Sequence, residues 1–398
     1  MPKIFGFILQ GNTRGMKISV ILSRFPYPLE KGDKLRIYHQ IRLLQKEHQV
    51  QIIAVTESKP EPEHIQELEK ISSEIHFYPL QKSNQIWQLF QAFFKGLPLQ
   101  LGYFFQPQLF KDLPKLLKEF GTETAYFQLP RTAPYARDLK IRKVIDYQDT
   151  FSQGMYRQYK KSNLLLKPLL WMEYKRMQRY EAKILDRFDA STIISEQDRE
   201  LIQHPKRDQI KIVRNGVDFE FFHPNPRIEK SFDLVFVGNM SYPPNILAAE
   251  FLVNEILPKL KSEPKVLIAG ANPHKRVEKL SSHQVVISGW LDDIREAYWK
   301  SKIFIAPMKI GTGLQNKLLE AMSIGLPCIT TPLANNALQA PKSSISIGES
   351  SDELAQAIEK LLQNPNQIKH QGELGRKFVH QEFSWEAAIK PLNEILQG

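Results

Sequence analysis

Cysteine is almost missing from this chain: 398 residues contain one, Cys328. A single thiol cannot pair within the chain, which excludes a disulfide-stapled framework and points to a reducing, cytoplasmic setting. Its apolar surroundings are those of a buried core thiol. No apolar stretch approaches the roughly 18–20 residues that a membrane-spanning helix needs. The run Ile4–Leu9 is too short for the apolar region of a signal peptide. Residues 1–15 therefore read as an extension ahead of Met16, which opens a clean strand and is itself a candidate start. Zinc-ligand spacings, helix-turn-helix signals and RNP-like aromatic motifs are all absent, which argues against nucleic acid as a partner. The ten histidines are scattered, and no metal constellation stands out. With 42% hydrophobic and 24% charged residues, a mainly disordered chain is excluded as well.

What the chain does have is positive charge, unevenly placed. Of the net +11, residues 1–224 carry +10, from 35 Lys and Arg against 25 Asp and Glu. A basic first half suits a polyanion or an anionic membrane surface; a soluble domain that is merely lysine-rich shows the same balance.

Short apolar runs alternate with helical patterns from Met16 onward. Lys17–Leu22, Val50–Thr56, Ile75–Tyr78, Thr124–Phe127, Val144–Tyr147, Ala190–Ile194 and Ile210–Val213 read as strands. The second half repeats the scheme with Asp233–Val237, Lys265–Ala269, Val285–Ser288, Ile303–Ala306, Cys328–Thr330 and Ile345–Ile347. Between strands lie helical patterns such as Ile37, Ile41 and Leu44, or the stretches Asn245–Lys259 and Ser351–Gln363. Strands apolar on both faces and alternating with helices predict parallel sheets. The expected fold class is α/β, with two doubly wound Rossmann-like domains facing a central cleft. The first spans 16–224 and the second 230–384, with a break near Asp218–Lys230. A last helix over 385–398 crosses back to the first domain. Ligands of such sheets bind beyond the carboxyl ends of the strands.

The stretch Lys309–Thr330 carries most of the chemistry. It follows the strand Ile303–Ala306 and opens a helix, for which Thr312 and Gln315 have the capping-box spacing and Gly325 with Pro327 mark the stop. Gly311 and Gly313 let backbone approach a ligand closely. Free amides at the helix start form an anion site, and Lys317 adds a full charge. Glu320, six residues past Leu314 and about 9 Å along a helix axis, can accept hydrogen bonds from ribose hydroxyls; Asn316 shares its face. A glycine-bounded amphipathic helix with solvated Lys and Glu is the plainer alternative.

The segment from Gly311 to Ile329, Gly-Thr-Gly-Leu-Gln-Asn-Lys-Leu-Leu-Glu-Ala-Met-Ser-Ile-Gly-Leu-Pro-Cys-Ile, resembles the donor-nucleotide motif of group 1 glycosyltransferases, the GT-B enzymes of glycosyltransferase family 4. Arg214–Pro224, Phe236–Asn245 and the Gly289-x-x-x-Asp293 turn are similar to further family segments in the same order. The opening Phe25–Arg36 with Tyr38 and His39 is similar to bacterial members linked to exopolysaccharide synthesis. The resemblance runs from Met16 to about Leu396, strongest in the second half. It implies transfer of a sugar from a nucleotide diphospho-sugar, with retention, without a metal and without a further cofactor. The acceptor it implies is a glycan or a lipid-linked glycan in surface polysaccharide synthesis. By motif position, Glu320 binds ribose. Lys317 and the amides of Gly313 and Leu314 meet the diphosphate, with Gly238 and Asn239 flanking it; Thr312, Gln315 and Asn316 complete the donor set. Two positions depart from the family. Thr312 stands where many members have a second glutamate, and Ser241–Asn245 replaces a basic pair, leaving Lys317 as the main diphosphate cation.

In the first half, Asp149 follows a strand and falls about where the family places a histidine, a position from which it can orient the acceptor or take its proton. Helix capping by Asp146 or Asp149 is the alternative. Gly32 and Arg36, after the first strand, are acceptor-side candidates against plain turn and surface roles. Two further stretches point toward a membrane. Ile86–Phe105 is rich in aromatics, and Lys160–Arg187 mixes leucines and Trp171 with cations, as an interfacial helix does; a core helix with a basic outer face fits the second equally. The protein is thus expected to work in the cytoplasm, peripherally on the inner face of the plasma membrane. A nucleotide-sugar epimerase on the same scaffold, or a non-catalytic nucleotide-sugar-binding partner, are the rival readings.

Overall fold

In a computed structural model of the protein, the described residues are 15–29, 31–310 and 314–398. The expected extension thus lies, but for Gly15, outside the described residues, as do Gly311, Thr312 and Gly313. The chain divides into two compact units. One runs to Asn215 and is completed by Ala388–Gly398; the other is Gly216–Ala387.

The first unit holds seven strands: β1 (Lys17–Leu22), β2 (Gln49–Thr56), β3 (Glu74–Pro79), β4 (Thr124–Gln128), β5 (Arg142–Asp146), β6 (Ala190–Ile193) and β7 (Lys211–Ile212). All pair in parallel, in the order β3-β2-β1-β4-β5-β6-β7. Successive side chains of a strand point to opposite faces, so an all-apolar strand needs cover on both. On one face Ile21, Ile53, Phe127 and Ile145 pack with Leu109, Leu113, Met177 and Ile184 of helices Pro107–Phe120 and Lys167–Leu185. On the other, Ile18, Val20, Ile52, Tyr126 and Val144 pack with Ile37, Ile41 and Leu44 of helix Gly32–Leu44. The i, i+4, i+7 pattern read from the sequence is that buried stripe.

The second unit has six parallel strands, β8 (Phe232–Val237), β9 (Val266–Ala269), β10 (Val285–Gly289), β11 (Ser301–Ala306), β12 (Cys328–Thr330) and β13 (Ser346–Ile347), in the order β10-β9-β8-β11-β12-β13. Both sheets change winding direction next to their first strand, between β1 and β4 and between β8 and β11. Crevices that bind ligands open at such points.

The segment expected to be a linker, Asp218–Lys230, belongs to the second unit. The carbonyl of His223 accepts from Trp299 Nε1 at 2.7 Å and that of Phe222 from Ser323 Oγ at 2.6 Å. The division falls instead at Asn215–Gly216. A Cβ at Gly216 would sit 2.5 Å from the backbone nitrogen of Trp385, so the glycine lets these two segments touch. The last helix, Trp385–Gln397, begins in the second unit and ends in the first, where Leu392 and Leu396 join the core beside β1. The helix read as Asn245–Lys259 is Pro243–Phe251, followed by a π turn over Leu252–Ile256 and a 3-10 turn over Leu257–Lys259. Pro258 lacks the amide that α-helical continuation requires and crowds the carbonyl four residues back.

Candidate functional site

The donor-side residues of the sequence analysis that are described gather at the β8–β11 crevice. After β8 the chain turns at Gly238 and Asn239. A Cβ at Gly238 would lie 2.6 Å from Asn245 Nδ2, and one at Gly270, after β9, 1.9 Å from the Gly238 carbonyl. Only glycines let the strand ends and the next helix come so close. Asn239 is a turn residue: its carbonyl accepts from Asn245 Nδ2 at 2.9 Å, and its side chain accepts from the amide and hydroxyl of Ser241.

Beyond β11 the helix is Asn316–Ile324. It starts later than the capping-box spacing suggests. Gln315 is the N-cap, makes no side-chain cap bond, and Leu314 lies outside the helix. The 9 Å estimate from Leu314 to Glu320 therefore fails, since only Asn316 to Glu320 is helical, about 6 Å at 1.5 Å per residue. Thr312 and Gly313, also expected here, lie outside the described residues. The helix stops as expected: Gly325 is left-handed (φ 85°), and Leu326 N donates to Ala321 O at 3.0 Å.

One turn apart on this helix stand Lys317 and Glu320. Lys317 Nζ donates to Asn245 Oδ1 at 2.6 Å and lies 5.2 Å from the centroid of the Phe236 ring. Neither partner carries a compensating charge, so desolvation pulls its ammonium down to about 8, against the opposing pull of Glu320. Glu320 Oε2 accepts from the buried Tyr298 hydroxyl at 2.6 Å, while Oε1 makes no hydrogen bond among the described residues. Desolvation raises the Glu320 carboxyl, with Tyr298 and Lys317 working the other way. The pair thus offers a single cation held by a neutral amide and a carboxylate with one acceptor oxygen spare. Tyr298 and Asn245 have no local signal of their own; they are 22 and 72 positions from their partners.

The first unit gathers a second group beyond β4, β5 and β6. Gln148 has φ 63°, an uncommon left-handed conformation for a side-chain-bearing residue, and Asp149 follows it in a tight turn, its amide donating to Tyr147 O at 2.9 Å. Asp149 caps nothing. Thr150 is the N-cap of helix Phe151–Lys161, and the Asp149 carboxylate makes no hydrogen bond among the described residues. Asp149 as a residue is exposed to solvent, while protein packs closely around its carboxyl group. Desolvation pushes its carboxyl up to about 7, with Asp198 adding and Arg157 and Arg131 subtracting. Behind it Glu181 is 1% exposed, accepts from the Ser152 amide at 3.1 Å and is pushed up to about 8, again mainly by desolvation.

The two acceptor-side residues fare differently. Gly32 is exposed at the start of its helix, with open space around it. Arg36 is fully buried: Nε and Nη2 donate to Asp146 at 2.7 and 3.2 Å, and Nη1 donates to Asn215 at 2.8 Å. All three nitrogens are committed inside the unit, so the expected contact to phosphate or acceptor gives way to a structural ion pair. Of the leucines of the basic stretch, Leu185 is core, whereas Leu164–Leu166 and Leu169 are exposed. Leu164 and Leu165 are 82% and 90% exposed, and Trp87, Phe90 and Phe94 stand out on helix Lys82–Phe94. Glu173 ties the two stretches together by accepting from the amides of Leu99 and Gln100, and Arg176 lies 5.0 Å from the Phe93 ring centroid.

Residues 231–364 match the family model described as "Glycosyl transferases group 1". An uncharacterized 44.6 kDa protein from the cps region of Klebsiella pneumoniae is 24% identical over 347 residues, covering 80% of this chain and 84% of that one. Among solved structures, HepE of Anabaena in complex with UDP aligns with a TM-score of 0.70 at 12% identity, over 96% of this chain and 100% of that one. Sucrose-phosphate synthase from Thermosynechococcus elongatus aligns with a TM-score of 0.67 at 14% identity, over 96% and 98%. At such identities these two likenesses establish the fold.

Proposed function

We propose that this chain, a group 1 glycosyltransferase built on the GT-B fold, moves a sugar from a nucleotide diphospho-sugar to a glycan or lipid-linked acceptor in surface polysaccharide synthesis. The observation that carries the reading is the Lys317–Glu320 pair at the winding switch of the second sheet. Glu320 Oε1 accepts from a ribose hydroxyl, and Lys317 meets the diphosphate near the start of its helix. As the glycosidic bond breaks, negative charge collects on the leaving nucleoside diphosphate. A cation kept in a dry site stabilises that charge more than the ground state, which raises the rate. Transfer with retention and without a metal belongs to the same proposal. In the first unit, Asp149 orients the acceptor hydroxyl or takes its proton. The cps-region relative supports polysaccharide synthesis as the setting. HepE, solved with UDP and with UDP-glucose, makes uridine diphospho-sugars the first donors to try.

No helix among the described residues is long and apolar enough to cross a membrane. The exposed leucines and aromatics of the first unit, interleaved with Lys160, Lys167 and Lys175, support a peripheral site on the cytoplasmic leaflet, where a lipid-linked acceptor is presented. A thermal-shift panel of nucleotide sugars tests the donor assignment, because a ligand of the native state raises its stability by mass action. One donor should stabilise the wild type and lose most of that effect in Glu320→Ala. A panel with no selective donor rejects the reading.

A further inference from the structure

The winding switch of the first sheet holds charges that the proposed transfer leaves without a task. β1 and β4 are neighbours there, with Leu22 opposite Gln128. Arg24 follows β1 by two residues and Arg131 follows β4 by three. Their guanidinium carbons lie 5.2 and 4.3 Å from the centroid of one ring, that of Phe104, and Arg131 lies 4.8 Å from the Phe151 ring as well. Among the described residues Arg131 spends one hydrogen bond, from Nε to Gln100 Oε1 at 2.9 Å, and its Nη1 and the Nε of Arg24 are buried and find no partner there. Arg24 gives Nη1 to Asp33 at 3.1 Å. Buried guanidinium N–H groups without acceptors are costly and rare. The backbone is also strained beside Arg131: Leu129, between β4 and Arg131, has φ 71° and ψ 147°, a region nearly reserved for glycine. Arg24 also lines an adjoining cavity of about 330 Å³, whose wall includes Lys31, Lys34 and Lys59 as well as Glu57 and Glu61.

We infer that Arg24 and Arg131 form a phosphate site, and that the acceptor of this enzyme is therefore a phosphorylated molecule. A phosphate offers several acceptor oxygens to the forked donors of two arginines, a match that a neutral sugar hydroxyl does not make. The inference rests on the glycosyltransferase reading only in calling the bound molecule an acceptor. Desolvation and the nearby Arg24 pull the Arg131 guanidinium down to about 10, although Asp33, Asp149 and Glu57 oppose this. The surrounding carboxylates thus leave it undercompensated, and an arriving dianion restores the balance. Asp149, among the charges that act on Arg131, places the phosphate near the group proposed to handle the acceptor hydroxyl.

The test is calorimetric titration in a Lys317→Ala background, which weakens the donor-side anion site. The probes are glucose 6-phosphate, for a soluble phospho-sugar, and farnesyl diphosphate, for a lipid-linked phosphate, with glucose and glucuronate as neutral and carboxylate controls. At least one phosphate probe should bind, and Arg131→Gln and Arg24→Gln should each weaken it tenfold or more. Arg131→Lys should recover part of the loss, and the thermal midpoint of each variant shows that it folds. Tighter binding of farnesyl diphosphate assigns a lipid acceptor, and of glucose 6-phosphate a soluble one. No binding of either phosphate probe at millimolar concentration, unchanged affinity in both variants, or equal arginine-dependent binding of glucuronate overturns the inference. The outcome is separate from that of the donor panel: a phosphate site that stands while no nucleotide sugar binds would reject the transferase and keep the arginine pair.

Discussion

At the scale of single residues, two groups with displaced proton affinities set an expected pH dependence. Asp149 must be ionised to take a proton, and its carboxyl sits at about 7. Lys317 must be charged to meet a diphosphate, and its ammonium sits at about 8. The kcat/KM profile should therefore rise through about pH 7 and fall above about pH 8, a narrow bell. Lys317→Arg stays charged and should move the alkaline limb upward. Asp149→Asn should lower transfer by about tenfold or more, erase the acidic limb and spare donor binding. A stability effect accompanies this. A carboxyl raised in the folded state holds its proton there longer than in the unfolded chain, so stability falls as pH climbs from the ordinary carboxylate value toward 7. Asp149→Asn should flatten part of that slope, Glu181 and the other raised carboxyls, Glu173, Asp198 and Glu320, acting in the same direction. An acidic limb unchanged in Asp149→Asn would return the residue to a bystander.

At the scale of elements, the buried pair Arg36–Asp146 joins helix Gly32–Leu44 to the end of β5 across the middle of the first unit. Burial works against the Arg36 charge and Asp146 sustains it, so the guanidinium remains above its ordinary value. Removing one partner leaves the other charge buried and uncompensated. Arg36→Ala should thus cost about 3–5 kcal/mol, read by chemical denaturation, with no selective loss of acceptor recognition in whatever folds. A near-neutral substitution would contradict the structural role. Nothing local to Arg36 announces this pairing, because Asp146 is 110 residues away and Asn215 is 179. The strands were legible to within a residue or two because an all-apolar run of four to eight residues has few other fates. The start of helix Asn316–Ile324 was not. A Thr-x-x-Gln spacing occurs in loops as readily as at helix starts, and here the cap is Gln315. Its end was legible, since Gly325 supplies a left-handed residue at a place that needs one. That Lys317 and Glu320 share one helix was readable from their spacing. Tyr298 and Asn245 in the second unit, and Arg24 and Arg131 in the first, needed the topology that brings residues distant in sequence together within each unit.

At the scale of the whole molecule, the charge imbalance and the clusters of exposed apolar residues over Ile86–Tyr103 and Leu164–Trp171 fall on the same unit. Each Lys or Arg near an anionic surface contributes about 1 kcal/mol, and salt screens it. Lys160→Glu with Lys167→Glu should release the protein from phosphatidylglycerol vesicles at low salt in sedimentation, and should leave donor binding intact because the proposed donor site lies on the other unit. Vesicle binding that ignores lipid charge and salt, or none in the wild type, would leave a basic enzyme without a membrane role. The central claim is narrower: the second unit cleaves a nucleotide diphospho-sugar with Lys317 and Glu320. Its most direct test is the release of nucleoside diphosphate from the donor that stabilises the fold, followed in the wild type and in Glu320→Ala. The wild type should release it, by transfer or by slow hydrolysis, and the variant should lose donor affinity by about 1.5–3 kcal/mol, the worth of a charged hydrogen bond. Selective donor binding with no diphosphate released, or release with unchanged donor affinity in Glu320→Ala, would contradict the account.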